Sequence, residues 1–361
     1  MLFAVVVYEF VIKGRGSTRS FLVGFGVVIP LALYTPFFLL EELHLENKAV
    51  KLSLATLPTV VVFRTLGAMF KTPSHICVEV TLANFVTYYS TLMSFDWSTK
   101  TLSRRKITPG ELGQAVLNLV FGFLRMSLFL SIMTHLDFTP FDSPVVLDDY
   151  HWSWDLLHPG HLANSYLLAL LTYAYLCLGF EMTAFSEQAK GYYTEPIFLN
   201  PILQSRSVRE FWGQRWNLVI HRLLKHGVLR PARQYVSTTM AIGLAFFVSG
   251  LLHDFTWAIV FYPHSTDTCR TCDVCPATCF TPKPFKVTAF FLYCGLCMLL
   301  ERQVVAKYTT FTQALPTILV AQLVLLTGLP VAHWYTGDWL VGGMFRDFST
   351  AVFLVRQINK M

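Results

Sequence analysis

Long apolar runs separated by short polar connections dominate the chain. A transmembrane helix needs about 20 consecutive, mostly apolar residues. Windows of this kind lie at 20–40, 52–70, 76–95, 113–134, 161–184, 236–261, 286–301, 313–334 and 338–356. Because some of these windows are marginal, the pattern predicts about seven to nine membrane spans. The apolar stretch 1–12 predicts a short first helix or an interfacial anchor.

Composition agrees with this pattern. Of the 361 residues, 54% are hydrophobic and 14% are charged. Such a chain has too few charges to solvate a globular surface and too many apolar runs for one soluble core. The expected fold class is an all-α, polytopic integral membrane protein with a single domain over 1–361. Membrane lipids are expected partners, and nucleic acid is not.

The chain has a net charge of +6, and many of its basic residues cluster in three connections between apolar windows. These basic clusters lie within 13–19, 100–106 and 206–233. The positive-inside rule places all three on the cytosolic face, so that span 236–261 runs outward and the loop 262–284 faces the lumen or exterior. The third cluster could serve topology and anionic-lipid contact alone, or it could bind a ligand.

The polar segment 185–235 combines length with periodic structure. Pro196 and Pro201 forbid a continuous helix at its start. Ser207 and Glu210 then have the spacing of a capping box, which predicts a helix that begins near Ser207. The backbone N–H groups of its first turn could help to bind an anion.

The residues that follow Ser207 predict one amphipathic helix at the membrane surface. An apolar stripe at helical spacing consists of Trp212, Trp216, Val219 and Leu223. Asn217 and His221 are four residues apart and share another face. That polar face could also be merely solvated.

His253 lies inside the apolar window 236–261. An ionisable side chain within a membrane span is a functional candidate, although a hydrogen-bonded packing histidine is the plainer alternative. In a helix, Ser249 is its neighbour one turn earlier, whereas Asp254 points about 100° away. Ser249, or a residue of another span, is therefore a better candidate than Asp254 for orienting the imidazole.

His253 and Asn217 together suggest acyl transfer between two lipid-like substrates. A neutral imidazole can remove a proton from an alcohol, which is worth about 10²–10⁴ in rate. An asparagine amide can hold a substrate carbonyl or a developing oxyanion, typically worth about 3 kcal/mol.

Two runs carry a family resemblance: Phe211-Trp212-Gly213-Gln214-Arg215-Trp216-Asn217 and Ser249-Gly250-Leu251-Leu252-His253-Asp254. They resemble the wax synthase branch of the membrane-bound O-acyltransferases, over about 195–260. In that family the Asn of the Trp-Asn pair and the downstream intramembrane His form the active-site pair. The resemblance therefore implies that 195–260 is the catalytic region, with His253 as general base and Asn217 as its partner. Gln214, where relatives often have Arg, and Asp254, in place of the commoner Glu, are mild departures.

The resemblance also implies the substrates and the location. A long-chain fatty alcohol from the bilayer would attack acyl-CoA bound from the cytosol, with no acyl-enzyme, no metal and no cofactor besides this co-substrate. Sterol and diacylglycerol are alternative acceptors, and the endoplasmic reticulum membrane is the implied location. The expected acyl-CoA-binding residues are, foremost, Arg215, together with Trp212, Trp216, Arg209 and Arg222.

A rival hypothesis is a membrane redox protein. Cys269, Cys272, Cys275 and Cys279 have the C-x₂-C-x₂-C-x₃-C spacing of some iron–sulfur proteins, but no proline follows the last cysteine. A loop on the oxidising side favours disulfides, with a zinc site as a second alternative. His151, His158 and His161 are read as part of an interfacial loop in preference to a metal site.

Overall fold

The computed structural model describes residues 1–263 and 280–345, without the side chains of 302–314. Its helices, in chain order, are α1 Leu2–Ile12, α2 Thr18–Leu43, α3 Lys48–Met69, α4 Leu82–Tyr89, α5 Pro109–His135, α6 Pro159–Gln188, α7 Pro201–Gln204, α8 208–215, α9 218–232, α10 Thr238–Val260, α11 Lys286–Ala314, α12 Thr317–Leu326 and α13 Leu329–Val341. Two short strands, β1 Trp97–Ser98 and β2 Ser103–Arg104, pair antiparallel. Single 3₁₀ turns cover Ile76–Glu79 and Trp154–Leu157.

The predicted all-α, multi-span fold is confirmed. Among the described residues, five helices are long and apolar enough to cross a membrane, namely α2, α3, α5, α6 and α10. Helices α12 and α13 meet at a bend of 40° and add a sixth span if they are counted as one. A total of seven to nine spans remains a prediction.

The window 76–95, one of the nine candidate windows, does not form a span. Its only α-helix, α4, has eight residues, which is too short to cross a bilayer. The Thr81 hydroxyl caps α4, and Phe95 bridges to Thr194, so polar ties interrupt the apolar run at both sides. The Glu79 carboxylate lies 2.5 Å from the Arg15 guanidinium, which holds this segment near the first basic cluster.

The three basic clusters lie at one end of the helix bundle. Arg15 Nε donates to the carbonyl of Ala68 at 2.6 Å, and the Thr72 hydroxyl donates to the carbonyl of His226 at 2.5 Å. At the same end, the Ile107 N–H donates to the Gly191 carbonyl at 3.1 Å. The shared end agrees with the positive-inside argument, and we call it the basic end.

Helices α6, α10, α11 and α13 surround the largest hydrophobic core. At Gly250 of α10 there is no room for a Cβ atom, because the backbone of Thr288 in α11 lies against it. Beside this contact, the Thr288 hydroxyl donates a hydrogen bond to the Asp254 carboxylate. The small residue and the polar tie together fix α10 against α11.

A buried ion pair joins α11 to α13 at the end away from the basic clusters. Lys286 Nζ lies 2.6 Å from Asp338 Oδ1, and both side chains are fully buried. The ammonium group also donates to the Leu147 carbonyl at 2.9 Å, which ties in the connection between α5 and α6. Because a buried charge without a partner is very unfavourable, each of these two residues requires the other.

Removing one partner of this pair should destabilise the fold strongly. We expect Lys286→Met to lower the free energy of unfolding by about 3–5 kcal/mol, because it leaves Asp338 charged and buried. The double variant Lys286→Met, Asp338→Leu should recover most of that loss. Thermal unfolding of the detergent-solubilised protein measures both.

The control is Lys190→Met, whose ion pair with Glu187 is exposed on the lysine side. Its effect should be within about 1 kcal/mol. A Lys286→Met variant as stable as the Lys190→Met variant would contradict the role assigned to the buried pair.

Candidate active site

The predicted amphipathic helix after Ser207 is broken at Trp216 and Asn217. Helix α8 ends in π-helical geometry at Arg215, Trp216 is extended, and Asn217 adopts the left-handed conformation with φ 37°. Asn217 is also the N-cap of α9, where its Oδ1 accepts from the Ile220 N–H at 3.3 Å. The prediction of one continuous helix is therefore wrong. The break falls at Asn217 because asparagine is among the few residues that tolerate the left-handed conformation.

The non-helical segment around Pro196 satisfies the backbone groups that the break frees. The Leu218 N–H donates to the Ile197 carbonyl at 2.8 Å, and the Arg215 carbonyl accepts from the Leu199 N–H at 3.0 Å. Irregular backbone in a membrane protein is stable only where protein groups replace water as partners. The proline-rich segment predicted to be non-helical thus supports the two helices on either side of Asn217.

Arg215 and Arg222 fasten this segment in place, and neither lines the cavity described below. Arg215 pairs with Glu210 at 2.7 Å and donates to the Leu199 carbonyl at 2.8 Å. Arg222 pairs with Glu195 at 2.8 Å. The contacts of both guanidinium groups are thus those of structural clamps, and their expected role in binding acyl-CoA stays a prediction.

The helix start predicted at Ser207 is confirmed, but its first turn is already occupied. The Ser207 hydroxyl accepts from the Glu210 N–H at 2.9 Å, while the Glu210 carboxylate binds the N–H of Arg206 instead of that of Ser207. Glu301 of α11 accepts from the N–H groups of Val208 and Arg209 at 2.7 and 3.0 Å. These N–H groups are therefore not available to a bound anion.

His253 is held in one orientation by α10 and α11. Its Nδ1 lies 2.6 Å from the Ser249 carbonyl, which can only accept, so Nδ1 carries the proton and Nε2 has a free lone pair. The imidazole stacks on Phe291 at 4.4 Å between ring centroids and meets the edge of Tyr335 at 5.5 Å. Ser249 orients the ring as predicted, through its carbonyl, and Asp254 is turned away toward Thr288.

Asn217 and His253 line the same cavity, which has a volume of about 650 Å³. Trp212 and Trp216 contribute apolar walls, and Trp212 packs against Phe291, the ring on which His253 stacks. The cavity follows α10 from Thr238 to His253, about 22 Å at 1.5 Å per residue. It therefore extends from the basic end deep into the bundle.

Three basic side chains line the part of the cavity nearest the basic end: Arg209, Lys225 and Arg233. Among the residues that the structure describes, none of them takes part in an ion pair. His221 lines the same region, and burial, followed by the charges of Lys225 and Arg222, lowers its pKa to about 4. We call this part of the cavity the basic mouth. Near neutral pH it therefore presents three cations and a neutral imidazole.

Sequence reasoning missed the groups that surround His253. Phe291 and Tyr335 come from other helices, and no spacing within one window could indicate them. The Lys286–Asp338 pair had a signal, since one lone acid and one lone base in apolar windows predict a partnership. Cys294 and Cys297 of α11 also line the cavity.

Other predicted sites fall elsewhere. Cys269, Cys272, Cys275 and Cys279 lie outside the described residues. His161 is not in an interfacial loop but in the first turn of α6, where it is buried and its Nε2 lies 2.8 Å from the Pro330 carbonyl. Within 1–263 and 280–345, no three His, Cys, Asp or Glu side chains are arranged to hold a metal ion.

Comparison with known proteins supports the resemblance carried by these motifs. Residues 194–276 match the sequence model of the "Membrane bound O-acyl transferase family". The matched segment contains both Asn217 and His253. The family resemblance predicted from the sequence is thus confirmed.

Several curated relatives are similar over part of the chain. The probable long-chain-alcohol O-fatty-acyltransferase 9 of Arabidopsis thaliana is 29% identical over 47% of this chain and 45% of its own length. The probable long-chain-alcohol O-fatty-acyltransferase 6 of the same plant is 28% identical over 60% and 59%. The long-chain-alcohol O-fatty-acyltransferase of Simmondsia chinensis is 27% identical over 43% and 41%. The chain thus spans less than two thirds of the length of each of these relatives.

The backbone conformation of Asn217 generates a stability prediction. Asn217→Ala should lower the free energy of unfolding by about 1 kcal/mol more than Asn217→Gly, because both variants lose the side-chain cap but only alanine is strained at positive φ. Denaturation of the two purified variants in detergent measures the difference. Asn200, with φ 45°, is a second left-handed position outside the cavity. The same alanine–glycine order is expected there, whereas equal stabilities at Asn217 would contradict the backbone argument.

Proposed function

We propose that this chain, which carries the motif region of the membrane bound O-acyl transferase family, transfers a fatty acyl group from acyl-CoA to the hydroxyl of a long-chain alcohol. The observation that carries the proposal is the placement of His253 and Asn217 on one cavity, with the Nδ1 of His253 fixed on the Ser249 carbonyl. The relatives are named for the transfer of fatty acyl groups to long-chain alcohols, which supports this acceptor class.

His253 acts as the general base in this proposal. Its free Nε2 accepts the hydroxyl proton while the alcohol oxygen attacks the thioester carbonyl carbon. A C–O bond forms, the C–S bond breaks when the tetrahedral intermediate collapses, and the imidazolium returns its proton to the departing CoA sulfur. The products are the ester and free CoA, and the proposed transfer needs no metal or cofactor.

Asn217 stabilises the oxyanion of that intermediate. Its Oδ1 is engaged by the Ile220 N–H, so the amide is oriented and the Nδ2 hydrogens are the part that can serve a ligand. A fixed amide donor at a developing oxyanion is worth about 3 kcal/mol. The broken helix therefore has a chemical purpose in this scheme, since it fixes that amide on the cavity wall.

The acyl-CoA phosphates bind at the basic mouth. Arg209, Lys225 and Arg233 replace Arg215 and Arg222 as the proposed partners, because the first three line the cavity and the last two are engaged elsewhere. Trp212 and Trp216 then flank the apolar part of the donor. With the basic end on the cytosolic face, acyl-CoA enters from the cytosol, and we place the enzyme in the endoplasmic reticulum membrane.

Loss of His253 or of the Asn217 amide should abolish most ester formation. Membranes that contain the wild type are supplied with labelled palmitoyl-CoA and hexadecanol, a sterol or diacylglycerol. We expect ester from hexadecanol, a loss of about 10²–10⁴ in kcat for His253→Ala, and a loss of about 10²-fold for Asn217→Gly. Full activity of a folded His253→Ala variant would exclude it as the base, and ester from only sterol or diacylglycerol would exclude the proposed acceptor.

Donor binding is tested separately at the mouth. Arg209→Gln and Lys225→Gln should each raise the KM for palmitoyl-CoA about tenfold, the loss of one charge-assisted hydrogen bond, with little change in the KM for the alcohol. Added salt should raise the wild-type KM for the same reason. Lys190→Gln is a control at the same end but outside the cavity. An equal increase in that control would assign the effect to general surface charge.

A further inference from the structure

A second, smaller pocket lies between α6 and α12. Its volume is about 300 Å³, and we call it the α6–α12 groove. Its lining residues are Phe141, Leu162, Ala163, Tyr166, Leu167, Leu326 and Leu329. All are apolar except for the Tyr166 hydroxyl, which donates to Gln322 Oε1 at 2.7 Å. No charged side chain lines the groove.

The groove faces the lipid side of the bundle. Phe141 is 50% exposed and Leu326 is 47% exposed, in a part of the molecule where α6 and α12 would be surrounded by acyl chains. Helix α6 runs from Pro159 toward the basic end near Gly191, so the groove lies in its first third, away from the basic mouth.

The groove adjoins the main cavity. Tyr166 and Leu329 line both spaces and form the boundary between them. The wall of the main cavity includes Leu329, Ala332 and Tyr335, which are three residues apart and lie on one face of α13. Tyr335 contacts His253 with its ring. Six residues of helix span about 9 Å, so one face of α13 leads from the groove to the proposed base.

We propose that the α6–α12 groove holds the alkyl chain of the acceptor alcohol, an inference that rests on the proposed function. The donor carries phosphates and needs the charged mouth, whereas a fatty alcohol is dissolved in the bilayer and needs an apolar opening toward it. The two substrates then approach His253 from opposite ends. The apolar, open-sided groove suits a hydrocarbon chain, and it lets a longer chain extend into the lipid. The enzyme therefore discriminates weakly among long alcohols by their length.

A bulky residue in the groove should affect long alcohols selectively. Leu326 lines the groove but not the main cavity, and Leu323 lines neither, although both are on α12 and about half exposed, at 47% and 50%. Leu326→Trp and Leu323→Trp are therefore a matched pair. Each is assayed as purified, monodisperse full-length protein with palmitoyl-CoA and either octanol or octadecanol.

We expect Leu326→Trp to lower kcat/KM for octadecanol about tenfold, while octanol, which is too short to fill the groove, changes less than about twofold. The KM for palmitoyl-CoA should be unchanged, and Leu323→Trp should behave as the wild type with both alcohols. Ala163→Phe fills the groove from α6 and should repeat the pattern if Leu326→Trp does not fold.

Other outcomes overturn the inference. If the wild type makes ester and groove variants match Leu323→Trp, the groove is not the acceptor site, while the proposed function is retained. If the variants instead change the preference for acyl-CoA chain length, the groove holds the acyl chain. If the wild type makes no ester with any alcohol, the proposed function fails and the acceptor assignment fails with it.

Discussion

The site depends on how the backbone around Asn217 finds hydrogen-bond partners. A helix break within a membrane protein frees N–H and C=O groups that lipid cannot satisfy. Here the segment 197–199 supplies those partners, and Arg215 and Arg222 hold that segment in position. Only with this support can one asparagine stay in the left-handed conformation and turn the chain between α8 and α9. The motif is therefore a structural unit as well as a set of chemical groups.

Helix α11 connects the parts of the site. Near its start, Thr288 binds Asp254 of α10 and Lys286 binds Asp338 of α13, while its Glu301 caps α8. Its Phe291 stacks on His253 between these ties. Each of the polar contacts satisfies a group that would be unfavourable without a partner in an apolar interior. Separation of these helices would therefore leave at least one buried polar group without its partner. The same contacts that hold the bundle together thus limit the positions available to the imidazole.

The main cavity and the α6–α12 groove differ in the charge of the residues that line them. The main cavity has cations only toward the basic end, and its deeper walls are aromatic. The α6–α12 groove has no charged lining at all. In the proposed reaction, a phosphate-bearing donor and a neutral alcohol would therefore meet different environments before they reach His253. Such separation suits direct transfer, because neither substrate must pass through the other's binding region.

The sequence by itself determined the membrane class, five of the spans, the helix start at Ser207 and the orientation of His253 through Ser249. These features depend on local periodicity, capping and neighbours one turn apart. It could not determine that the helix breaks at Asn217, because tertiary partners at 197–199 decide whether that break is stable. Nor could it separate Arg209 from Arg215, since both have the same charge and lie in one connection. Only the packing of distant helices decided which guanidinium faces the cavity and which clamps the chain.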